Sequence, residues 1–135
     1  MSVYKYTLTS EYSEYIPGLS ESCYLFKWLK IVGNKIIIPA GYSWDGCSPK
    51  IKIGSHVVGT PDFGVKTKYA SLAHDALYQY AGLHSLPRKK CDGVFYELMK
   101  REKFIFSTFY YATVRIFGFY FWNKCRKADS SSFLE

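Results

Sequence analysis

Residues 67–82 read TKYASLAHDALYQYAG and residues 88–99 read RKKCDGVFYELM. In the first stretch Tyr69, Leu72, Ala73, Ala76, Leu77 and Tyr80 recur at three- and four-residue spacing, which predicts an amphipathic helix with Thr67 as its cap and Gly82 as its stop. The second stretch predicts another helix that starts near Ser85. Pro87 falls in its first turn, where a missing N–H costs nothing, and Cys91, Val94, Phe95, Leu98 and Met99 form its apolar face. A connection as short as residues 82–86 implies that the two helices pack antiparallel. A third helix is expected over the aromatic run 104–124, and residues 128–135, with three serines in a row, are expected to fray.

Upstream of these helices the pattern changes to strands. Residues 4–9 alternate, and residues 24–32 and 35–38 are β-rich runs separated by Gly33-Asn34, a hairpin signal. Pro39, Ala40 and Gly41 end the second run, since proline cannot donate to a ladder and glycine permits a change of direction. Residues 41–67, rich in Gly, Pro, Ser and Asp, read as one long loop, and loops of that length in small domains usually carry function. The expected fold class is therefore α+β: an N-terminal β hairpin or meander, a long loop, then three helices. The expected organisation is one domain over residues 1–127, with 1–40 as a β extension.

Composition narrows the function classes. Aromatics make up 19% of the 135 residues, far too many for a disordered chain and enough to leave flat amphipathic side chains at surfaces. Eighteen Lys and Arg against eleven Asp and Glu give +7, a field that draws anionic membranes, nucleic acid or acidic proteins. Nucleic acid ranks low because the basic residues are dispersed and no recognition module is present. Cys23, Cys47, Cys91 and Cys125 form no CxxC pair, so no zinc ribbon or thioredoxin motif is supported and free thiols are expected. The first residues lack the basic start and apolar run of a signal peptide, which points to synthesis inside the cell. The run 104–122 approaches the length of a membrane span, but Arg115 near its middle costs about 2.5–3.5 kcal/mol on insertion. A core helix is the better reading.

The chemistry concentrates on the first two helices. His74 and Asp75 are adjacent, so they point about 100° apart and serve one site only in different roles. Tyr78 shares the face of His74, and Asp92 on the second helix becomes their common partner in an antiparallel pair. A histidine oriented by a carboxylate keeps one tautomer and presents its free nitrogen as a general base. Asp75 offers a hard oxygen suited to Ca²⁺, with backbone carbonyls of the glycine-bearing loop 44–49 as the source of further ligands. Such an ion polarises a carbonyl, and the reaction class expected is metal-assisted ester hydrolysis.

The stretch LAHDALY resembles the active-site helix of the phospholipase A2 superfamily, and RKKCDGVFYELM resembles its partner helix. DGCSP (residues 45–49) is similar to the shortened calcium loop of divergent members, and YYATVRIFG (110–118) resembles the last helix of the prokaryotic enzymes. The pattern of an Asp-Gly loop, a His-Asp helix and Arg-x-x-x-Asp, here Arg88 and Asp92, also resembles a family of proteins found in phage genomes. The phospholipase resemblance implies His74 as the base that deprotonates water, Asp92 as its orienting carboxylate, Tyr78 as support for Asp92, and Asp75 with the carbonyls of Trp44, Gly46 and Ser48 as a Ca²⁺ site. The implied partner is an anionic phospholipid or membrane surface, with Lys50, Lys52, Lys66 and Lys68 near the site to draw head groups. A phage origin would place the protein in the host cytoplasm, at the membrane periphery or on the virion. The chain departs from the family in having Leu72 and Ala73 where the familiar enzymes carry cysteine beside the His-Asp pair.

Bland readings stand beside these. His74, Asp75 and Asp92 would serve equally as a hydrogen-bond network holding helices together in a catalytically silent phage protein, either a virion component or a binder or inhibitor of a host protein. His56 and His84, in loops without a placed carboxylate, read as solvated; Asp62 reads as a turn former and Asp45 equally as a turn residue or a metal ligand; Arg115 reads as the partner of a buried carboxylate.

Overall fold

A computed structural model describes residues 6–44, 50–53, 56–59 and 65–134; for 50–53, 56–59, 65–66 and 129–134 it describes the backbone alone. The architecture is α+β, with antiparallel strands first and three helices after them. The chain divides into two compact units, Met1–Asp45 and Gly46–Glu135.

The first unit holds β1 (Tyr6–Thr7), β2 (Tyr12–Tyr15), β3 (Cys23–Leu25), β4 (Lys30–Val32), β5 (Lys35–Ile38) and β6 (Ser43–Trp44). Four of these form an antiparallel sheet in the order β2-β5-β4-β3. Gly33 adopts φ +60° in the two-residue link that pairs Val32 with Lys35, as the Gly-Asn signal predicts. Ile31 lies opposite Ile36, and both are fully buried together with Ile38, the alternation expected of a sheet with one covered face. After β5 the chain turns at Gly41, at φ +97°, whose N–H donates to the Leu8 carbonyl over 2.8 Å. The turn brings β6 beside β1, where Trp44 lies opposite Tyr6 with ring centroids 5.3 Å apart.

In the second unit β7 (Lys50–Ile53) and β8 (His56–Gly59) pair as an antiparallel hairpin, followed by α1 (Val65–Gln79), α2 (Arg88–Arg101) and α3 (Ser107–Leu134). The stretch 41–67 is therefore not one long loop: it contains β6, a hairpin and the start of α1. The β-branched side chains of residues 51, 53, 57 and 58 favour an extended backbone more strongly than the surrounding Gly and Pro oppose it. Thr67 lies buried within the first turn of α1 rather than capping it, and Pro87 is the residue before α2, in extended conformation. The backbone of 128–134, expected to fray, continues α3.

Lys103 ends α2 in the left-handed region, at φ +57°. Its N–H reaches the Lys100 carbonyl and that of Phe104 reaches Met99, the paired bonds of a Schellman motif, with Phe104 and Met99 both buried. Leu72, Ala73, Ala76 and Leu77 of α1, Cys91, Val94, Phe95, Leu98 and Met99 of α2, and Tyr110, Val114 and Trp122 of α3 are buried at helical spacing. Among the described residues no helix is long and apolar enough to cross a membrane.

A buried carboxylate shared by three helices

The inward faces of α1, α2 and α3 converge on Asp92. One oxygen, Oδ1, accepts from Tyr78 Oη–H over 2.6 Å and lies 2.7 Å from His74 Nε2. The other, Oδ2, accepts from Arg115 Nη1 over 2.8 Å and Arg88 Nη1 over 3.3 Å. His74, Tyr78 and Asp92 are fully buried; the arginines are only partly so. Burial alone pushes the Asp92 carboxyl up, but the hydrogen bonds from His74, Tyr78 and Arg115 outweigh it and hold the group below its usual range. Burial, then the neighbouring Asp92 charge, pushes the Tyr78 phenol far up, so it stays a donor. The same two causes push up the Cys91 thiol next door, which leaves it inert as a nucleophile.

An ionised Asp92 can only accept, so Nε2 of a neutral His74 carries the proton and Nδ1 carries the lone pair. Nδ1 is buried and has no hydrogen-bond partner among the described residues. The ring is held between Tyr78, at 4.2 Å between centroids, and Phe95, at 4.9 Å. Of the two ring nitrogens, Nε2 is anchored on Asp92 and Nδ1 is uncommitted among the described residues.

Arg88 ties the cluster to α3. Beyond Asp92, its Nη1 donates to the Val114 carbonyl and its Nη2 to that of Arg115, each over 3.0 Å. Gly118 makes this approach possible: a Cβ there would stand 2.7 Å from Tyr78 Oη and 3.1 Å from Arg88 Nη1. The sequence singles out the Arg88–Asp92 spacing and expects a carboxylate partner for Arg115. Gly118 is missed, and its signal is the one glycine inside the aromatic run of α3.

His74, Tyr78 and Asp92 are thus brought together, while the other predicted site residues are placed differently. Asp75 is half-buried on α1. Trp44 lies in β6 of the first unit, and Gly46 and Ser48 fall outside the described residues. Among the described residues no group of three or more His, Cys, Asp or Glu side chains comes together as a metal site. The Asp75 carboxylate is a hard oxygen of the kind Ca²⁺ takes. Lys68 is half-buried with its ammonium 5.4 Å from the Tyr69 ring; the side chains of Lys50, Lys52 and Lys66 fall outside the described residues. His84 corrects a sequence reading. It is buried rather than solvated, with Nε2 2.6 Å from the Leu77 carbonyl and Nδ1 accepting the Leu86 N–H over 3.2 Å, so it closes the α1–α2 turn. The side chain of His56 lies outside the described residues. Cys23, Cys91 and Cys125 are free thiols, as expected.

Fold and site together define an α+β protein whose three helices meet at a His–Asp–Tyr cluster braced by two arginines. The model of the family described as "Protein of unknown function (DUF1353)" matches residues 24–114, more than half of the chain, and the protein belongs to that family. The matched span includes His74, Asp75, Tyr78, Arg88 and Asp92 and ends one residue before Arg115. Neither the curated proteins nor the solved structures include a match.

Proposed function

We propose that this protein is a lipid ester hydrolase of the phospholipase A2 kind, with His74 as general base. The observation that carries the reading is the asymmetry of His74: Nε2 is anchored on Asp92 while the buried Nδ1 is uncommitted among the described residues. In the proposed reaction a water at Nδ1 gives its proton to the ring as its oxygen bonds to the ester carbonyl carbon. Asp92 stabilises the imidazolium that forms. Collapse of the tetrahedral intermediate breaks the ester C–O bond, and the leaving alkoxide takes the proton back from Nδ1. Tyr78 and the two arginines are positioning residues that keep Asp92 ionised and fixed. A Ca²⁺ on the Asp75 carboxylate would supply Lewis-acid stabilisation of the oxyanion.

The test is fatty-acid release from phosphatidylglycerol vesicles with Ca²⁺ and with chelator. Release that needs Ca²⁺ supports the reading; release in neither condition, from a folded protein, sinks it.

A second reading is favoured by a different observation: the cluster joins all three helices and both Asp92 oxygens are already engaged. In that reading the network is structural and the protein is a silent virion component or a binder of a host protein. A large loss of stability in His74→Ala, with no effect of Ca²⁺ on the wild-type melt, supports it.

A further inference from the structure

The outer face of α3 is not that of a solvated helix. Tyr110, Val114, Gly118 and Trp122 face inward, buried at four-residue spacing. The opposite line carries Phe109, Ile116 and Tyr120, which are 64%, 61% and 72% exposed. Their spacing of seven and four residues sets them on one stripe, roughly 16 Å long at about 1.5 Å per residue. Phe117 and Phe119 flank the stripe, and Ile105, 82% exposed, stands before its start. Exposed apolar residues scattered singly need no explanation, but several large ones aligned on one helix face do.

Charge decides what covers it. From Ser107 to Ala128, α3 carries Arg115, Lys124, Arg126 and Lys127 and no acidic residue. Arg115 is committed to Asp92, while Lys124, Arg126 and Lys127 are exposed at the end of the stripe, with Lys127 on its line. A second copy of the chain in parallel pairing would set these cations against their own counterparts. An exposed line of Phe, Ile and Tyr with lysines at its end suits an anionic lipid surface, where apolar side chains enter the acyl boundary and ammonium groups stay among the phosphates. The helix would lie on the surface, in keeping with the absence of any spanning helix among the described residues.

We infer that the Phe109–Ile116–Tyr120 face of α3, with Lys124 and Lys127, docks on an anionic phospholipid bilayer. The inference deepens the proposed hydrolase reading and rests on it for its purpose, but docking is measured apart from turnover. The experiment is co-sedimentation of the full chain, in chelator, with vesicles of equal parts phosphatidylglycerol and phosphatidylcholine and with pure phosphatidylcholine vesicles. Binding to the anionic vesicles is expected to be at least about tenfold tighter and to weaken with salt. Phe109→Ser/Tyr120→Ser should lose about tenfold in affinity, and Lys124→Glu/Lys127→Glu a similar factor. All four side chains are exposed, and unchanged circular-dichroism melts confirm that the variants fold. Equal affinity for the two vesicle types, or variants that bind like wild type, would overturn the inference, as would a wild-type dimer that the aromatic variant converts to monomer. Docking with no fatty-acid release leaves the inference standing and removes the hydrolase reading alone.

Discussion

Gly118→Ala tests the packing of the site through one added methyl group. The new Cβ would lie 2.7 Å from Tyr78 Oη and 3.1 Å from Arg88 Nη1. Neither atom yields cheaply. The phenol is held at 2.6 Å by Asp92 and its ring lies 5.0 Å from Trp122, while the guanidinium is fixed by two α3 carbonyls. Overpacking of this kind costs about 1–3 kcal/mol, and the 2.7 Å contact places it in the upper part of that range. Replacing a helical glycine by alanine returns about 1 kcal/mol of propensity. The expected net loss is about 1–2 kcal/mol, read by urea denaturation of helical ellipticity, since all three helices belong to one unit. In a Tyr78→Phe background the nearest atom is gone, so the cost of Gly118→Ala should fall by about 1 kcal/mol in a double-mutant cycle. A Gly118→Ala protein as stable as wild type, or one whose cost is the same in both backgrounds, would refute the close approach.

Other outcomes follow from the same geometry. His84→Ala removes an acceptor for Leu86 N–H and a donor to the Leu77 carbonyl, and should cost about 1–3 kcal/mol in the same urea titration. Lys103→Gly should stabilise the protein by about 0.5–1 kcal/mol, because glycine takes the left-handed position at φ +57° without a Cβ penalty; a loss of stability would contradict the motif. The Tyr78 phenol is raised in the folded state, so its contribution is whole below the unfolded value of about 10 and declines as pH rises from there toward the folded value. Tyr78→Phe should flatten that alkaline decline. Asp92 has the opposite sign: its contribution is present above the unfolded value of about 3.9 and is lost as pH falls through the lower folded one, giving an acid loss that Tyr78→Phe leaves largely in place.

The parts of the site readable in the sequence are those set by local spacing. His74 and Tyr78 lie four apart on one helix, and a short connection turns Asp92 back toward them. Gly33-Asn34 similarly fixes its hairpin by turn chemistry alone. What depends on distant packing is harder to read. That Arg88 reaches mid-helix carbonyls of α3 follows from how closely Gly118 lets the helices approach, which no local period encodes. His84 looks solvated because it lies between Gly82 and Pro87, yet two backbone groups in the turn claim both its nitrogens. The β7–β8 hairpin is obscured by the Gly and Pro around it, although its β-branched residues are a signal in themselves.

The most direct test of His74 as the base compares fatty-acid release from phosphatidylglycerol vesicles, in Ca²⁺, by wild type and His74→Gln, each first shown to be folded by its thermal melt. Glutamine can keep a hydrogen bond to Asp92 but cannot take a proton from water. Wild-type release is expected to fall by at least about a hundredfold in the variant, the lower range of a general base's contribution. Release that survives the substitution in full, or a wild type that releases nothing, would contradict His74 as the base.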